Sequence, residues 1–153
     1  MAGTPVQRLA SQLRRGLLGD AWHGPALFEI LKDVSPEEAR FVASDGVHSI
    51  WETALHIQTW IDIATGALAG SPIPPWPFPG DWPAPAGSWS DAVAGIQASA
   101  DALVKAVAAM EESKLDETVP GRDHSFHFLL NGVLQHNAYH SGQIAIVKKI
   151  YRS

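Results

Sequence analysis

His136 and His140 stand four residues apart in the run Gly132-Val-Leu-Gln-His-Asn-Ala-Tyr-His-Ser-Gly-Gln-Ile144. On a helix that spacing sets both imidazoles on one face, roughly 5–6 Å apart at Cβ. Two neutral imidazoles so placed can share one divalent ion. The same stripe carries Leu129, Val133, Ile144 and Val147, so the rings point toward an apolar interior, where each needs a partner. Two readings stay open on spacing alone. The pair is half of a metal site, or it is two core histidines with local hydrogen bonds and no ion.

A metal site needs further ligands. The chain has no cysteine, so they must come from His, Asp or Glu on another helix. His56 is the best-placed candidate, between Leu55 and Ile57 in an apolar segment. His48 lies about 12 Å from it along a helix axis, too far to bind the same ion. Glu52 shares their face and has three possible roles: ligand, outer acceptor of a histidine N–H, or salt-bridge partner. It is also the available general base. Gln143, seven residues after His136 and three after His140, can serve as an outer hydrogen-bond partner. His23, in Ala21-Trp-His-Gly-Pro25, reaches the mouth of the site only if its loop folds over it. For His124 and His127, capping, loop packing or solvent exposure is the expectation.

Three imidazoles leave a tetrahedral ion one open position, the mark of a reactive site. A water there has a depressed pKa; an anionic substrate atom such as a thiolate can take its place. Zinc and nickel both tolerate three nitrogens.

The elements that must position these residues are helical. The first segment runs from about Pro5 to Leu18, followed by short pieces at Pro25–Lys32 and Pro36–Val42. The second long helix is expected over Val47–Leu68, with Ile50, Ala54, Ile57, Ile61, Ala64 and Leu68 at the 3.6-residue period. A third spans about Ser90–Glu112 and a fourth Ser125–Tyr151. Gly70–Gly87 holds seven of the eleven prolines, with Trp76, Phe78 and Trp82 among them. Repeated proline forbids helix and central strand. The aromatics point to an ordered crossover strap on the bundle, with a lid or a dimer surface as alternatives. No strand-period segment, repeat or domain boundary is visible. The expectation is an all-α fold: one four-helix bundle over residues 1–153, with a long Pro/Trp-rich crossover between helices 2 and 3.

The bulk numbers agree with one domain able to bury a core: 153 residues, 46% apolar and 18% charged. The net charge is −5 and the basic residues are scattered, so no nucleic-acid footprint is evident. No apolar run approaches the ~20 residues of a membrane span, and no signal peptide is visible. A cytoplasmic protein is the expectation.

At Ala21–Pro25, His48-Ser-Ile-Trp-Glu-Thr-Ala-Leu-His56, the tryptophan-proline strap and Gly132–Ile144, taken in order, the chain resembles the DinB/YfiT-like superfamily of metal-binding four-helix bundles. The resemblance implies a three-histidine site of His56, His136 and His140 holding one zinc or nickel ion per chain. It also implies homodimers and a small-molecule substrate. Relatives include transferases and isomerases that use low-molecular-weight thiols, and others labelled metal-dependent hydrolases. The aspartate often found after the first histidine of the pair is Asn137 here, so any role of that carboxylate is weakened or shifted. A rival from another class is a non-catalytic bundle that binds a small ligand or partner, its apolar pocket lined by the strap and by Trp51, Trp60, Trp76 and Trp82.

Overall fold

The computed structural model describes residues 3–153. Its elements are α1 (Pro5–Leu18), α2 (Leu27–Leu31), α3 (Pro36–Arg40), α4 (Ile50–Leu68), α5 (Trp89–Ala109), a 3-10 helix (Glu112–Asp116) and α6 (Phe126–Tyr151). The fold is all-α. Among the described residues there is no strand, only an isolated antiparallel bridge between Thr118 and Ser125. The four long helices form the bundle. α4 packs against α5 and α6, and α1 packs against the same two from the other side.

Local chemistry explains where the helices start. Thr4, Ser35 and Ser49 each cap a helix with a reciprocal bond from Gln7, Glu38 and Glu52. Pro5 and Pro36 then occupy the first turns, where a missing N–H costs nothing. α4 begins at Ile50 rather than at Val47 because Ser49 takes the cap position. α5 ends at Ala109, short of Glu112, where Met110 turns extended. The 3-10 helix after it leaves no 3.6-residue signature, so periodicity passes over it.

The core is one continuous cluster. Leu13 and Leu17 of α1, Ile50, Trp51, Ile57 and Ile61 of α4, Ile96 and Leu103 of α5, and Leu130 of α6 are fully buried. Trp51 meets the edge of Trp89 at 5.4 Å, and the Trp89 indole donates to the Val34 carbonyl at 2.9 Å. By length and composition alone α5 is long and apolar enough to cross a bilayer. It nevertheless carries Asp91, Asp101 and Lys105, and it lays Trp89, Ile96, Ala100, Leu103 and Val107 into the core.

The strap from Gly70 to Gly87 has no helix or strand and is tied down near its start. Ile73 donates to the Pro120 carbonyl at 3.0 Å, and the Arg122 guanidinium donates to the carbonyls of Ile73 and Pro74. Gly121 makes this approach possible. Its φ is +78°, and a Cβ there would stand 3.2 Å from the Ile73 carbonyl oxygen. At the far end of α6, Arg152 donates to the buried Glu38 carboxylate at 2.7 and 3.0 Å, which holds α3 against the bundle.

Candidate metal centre

His56 comes from the middle of α4; His136 and His140 come from the facing turns of α6. The three rings converge, each offering one nitrogen, and those nitrogens lie within 4.8 Å of one another. His56 Nε2 and His136 Nε2 are 3.0 Å apart. His56 and His140 are buried, and His136 is partly exposed.

Two of the three rings are oriented from behind. His56 Nδ1 is 2.7 Å from the Asp81 backbone carbonyl and 3.2 Å from the Asp81 carboxylate. Both neighbours are acceptors, so Nδ1 carries the proton and the Nε2 lone pair faces the cluster. His140 Nδ1 is 2.6 Å from Gln143 Oε1, which fixes the same tautomer if the Gln143 oxygen is the acceptor. Metal-ligating histidines are held this way, by an outer acceptor that sets both ring angle and tautomer. Lone pairs turned toward one another in a buried space repel unless a proton or a cation lies between them. The donor set therefore fits a divalent ion.

Asp81 was not singled out by sequence reasoning, although a signal existed. It is the one charged residue between Gly70 and Gly87. Its carboxylate accepts from the Trp60 indole at 2.9 Å and the Trp76 indole at 3.3 Å. Trp82, next in the chain, stacks on His56 at 3.8 Å with the planes 1° apart, and His48 stacks on its other face at 3.7 Å. The strap thus covers the centre with an indole and holds one of its histidines with a carboxylate.

The other sequence candidates fall in different places. Gln143 is beside His140. Glu52 is not with the triad. Its carboxylate accepts from the Ser49 N–H and hydroxyl, each at 2.8 Å, and stands 3.8 Å from His48 Nδ1. The Ser49 N–H, more than any other neighbour, lowers its pKa. His48 is part of the stack and not of the ligand cluster. The loop of His23 does not fold over the centre. His23 is exposed and lines a separate groove against α1, next to a fully exposed Trp22. His124 packs on Phe128 near the start of α6, and His127 is exposed. Asn137 is buried with Ser141 one turn on. An aspartate there would bury a charge, and the amide carries none.

Burial lowers the pKa of His136 from 6.5 to about 4, with the neighbouring His140 and His56 adding to it. Burial also lowers His140. Both are thus neutral at pH 7, as ligands must be. A consequence follows for the metal-free protein. Between the folded and unfolded pKa values the unfolded chain binds more protons, so stability is present above pH 6.5 and is lost as pH falls toward 4. The expected loss from His136, reduced by the screening its partial exposure allows, is on the order of 2 kcal/mol at the lower end. Denaturant unfolding of metal-free protein at pH 7 and pH 4.5 measures it, with His136→Ala as the control that should flatten the slope. Equal pH slopes in the two proteins would contradict this assignment.

A helical bundle with three histidines converging between two adjacent helices defines a class of helical protein with a potential metal centre. The family comparison is specific: residues 21–144 match the DinB superfamily, and the chain belongs to it. No curated protein and no solved structure matches it.

Proposed function

We propose that this protein is a metal-dependent transferase that joins a small thiol to an electrophile, using one zinc or nickel ion per chain held by His56, His136 and His140. The observation that supports it is the convergence of three buried or partly buried imidazole nitrogens, two of them turned inward by acceptors on their far side. An ion with an open position supplies a Lewis acid that lowers the pKa of a thiol at that position.

The chain's own residues supply access and a proton acceptor. A cavity of about 380 Å³ is lined by His48, Thr53, Trp82, Tyr139, His140 and Gln143, and thus opens beside the triad. No Lys, Arg, Asp or Glu lines it, which favours an uncharged thiol over one bearing carboxylates. His48 is half-exposed and backed by Glu52, so it takes the thiol proton. The sulfur–carbon bond forms as the carbon–leaving-group bond breaks, and the leaving group departs with the electron pair. Glu52, held by Ser49, lends His48 a nearby negative charge instead of acting as the base itself. Gln143 holds the His140 ring. The exposed Ile150 and Tyr151 at the end of α6 offer a surface for the homodimer.

The test is consumption of N-acetylcysteine methyl ester with 1-chloro-2,4-dinitrobenzene by zinc- or nickel-loaded protein, against chelator-treated protein. Metal-dependent consumption is expected, with His48→Gln lowering the rate at unchanged metal content. No thiol consumption, together with metal-dependent hydrolysis of ester or amide panels, would move the reading to a hydrolase. No turnover of either kind would move it to a binding bundle with a structural ion.

A further inference from the structure

The triad borders a second cleft on the side away from His48. It has a volume of about 190 Å³, and its walls are Trp60 from α4, Phe128, Leu129, Gly132 and Val133 from α6, and the imidazoles of His124 and His136. Leu129 and Val133 are buried, whereas Phe128 is 65% exposed at the rim and packs against His124. No formally charged side chain lines this cleft. The Trp60 indole N–H is already given to Asp81, so that wall offers only its ring.

Gly132 is the informative residue. It stands inside a long helix, where glycine costs roughly 1 kcal/mol relative to alanine. Its φ is not positive, and a Cβ built on it would meet nothing within 4 Å. Neither backbone strain nor close helix packing explains it. What its missing side chain does is leave room in the cleft.

We propose that this cleft is a binding site for a small uncharged apolar group, a benzene-sized ring or short alkyl chain, seated against Trp60 with one end at His136. Its volume is in the range of apolar cavities that hold benzene, at about 150 Å³. Desolvation without a charged partner excludes anions and cations of the same size. The two spaces beside the triad then differ in kind. The larger one by His140 takes the polar thiol, and the smaller one by His136 takes the apolar part of the electrophile. The second half of that assignment rests on the transferase reading; the apolar site itself does not.

Toluene titrated into metal-free full-length protein, followed by NMR of the Leu129 and Val133 methyl groups, tests the site. Saturable shifts in the millimolar range are expected with toluene, and at least tenfold weaker ones with benzoate. Gly132→Leu should abolish the toluene response at an unchanged or raised melting temperature. Gly132→Ala, a milder change, should weaken it several-fold and serves if the leucine variant does not fold. Absence of saturable shifts, equal binding of benzoate, or an undiminished response in Gly132→Ala and Gly132→Leu would overturn the proposal. So would a toluene response that fades as protein concentration rises, which would show a second copy of the chain filling the cleft. Toluene binding without thiol transfer would leave this site standing and sink only the reading of the reaction.

Discussion

His140→Ala is expected to abolish stoichiometric metal binding. The ring is 7% exposed, and its inward nitrogen lies within 4.8 Å of those of both other histidines. Losing an outer hydrogen-bond partner weakens a metal site roughly 10–100-fold, and losing a direct ligand should exceed that. His56→Ala should behave alike. His48→Ala, which removes a stacking ring and the proposed proton acceptor but no ligand of the ion, should retain it. Elemental analysis after dialysis reads this directly. Thermal melts read it a second way. An ion at 100 times its dissociation constant adds about 2.7 kcal/mol, or roughly 5–10 °C for a domain of this size. That metal-dependent shift should be present in the parent protein and in His48→Ala and absent in the other two. Full metal content in both His140→Ala and His56→Ala would place the ion elsewhere and remove the basis of the transferase reading.

The second large effect concerns a residue that touches no metal. Asp81→Ala removes the carboxylate 3.2 Å from His56 Nδ1 and leaves the Trp60 and Trp76 indoles without their acceptor. The backbone carbonyl at 2.7 Å remains, so His56 keeps its tautomer and loses the charge behind it and the anchorage of the strap. Metal affinity should fall about 10–100-fold, the range for outer partners of ligating histidines. The partly buried Trp60 indole N–H left unpaired should lower stability by about 1–3 kcal/mol, whereas the exposed Trp76 can turn to water. Asp81→Asn separates the two contributions. Its amide oxygen can still accept from Trp60, so stability should largely recover, while affinity stays reduced because the negative charge behind His56 is gone. Chelator competition measures affinity, and unfolding of metal-free protein measures stability. If both variants bind metal as tightly as the parent, Asp81 is a strap anchor and nothing more.

The strap also shows why one aspartate decides so much. Proline at seven positions deprives the segment of helix and sheet bonds, so it needs tertiary anchors. Arg122 supplies them near its start, and Asp81, through two indoles and one imidazole, supplies them over the site. The orientation of His56 and the order of the strap are therefore coupled in this chain.

Local periodicity was enough to reveal the helices and the triad's α6 half. A 3.6-residue stripe is written in consecutive residues, and His136 and His140 lie one turn apart on it. The start of α4 is written locally too, in Ser49 and Glu52, yet there the capping box competes with the functional reading of Glu52. That competition explains why a carboxylate in register with His56 turned out to face the helix end. His56 as the third ligand was suggested by its apolar neighbours and by family resemblance. Its distance from His136 is a property of how α4 packs on α6. The placement of Asp81 and Trp82 at His56 is not written in the sequence for a plainer reason. They are 25 and 26 residues from His56 along a segment without periodicity, and only the folded path of the strap brings them to 2.7 Å and 3.8 Å. The cleft at Gly132 is also a tertiary fact. A missing side chain is visible in the sequence, but the empty space around it is set by Trp60 on another helix.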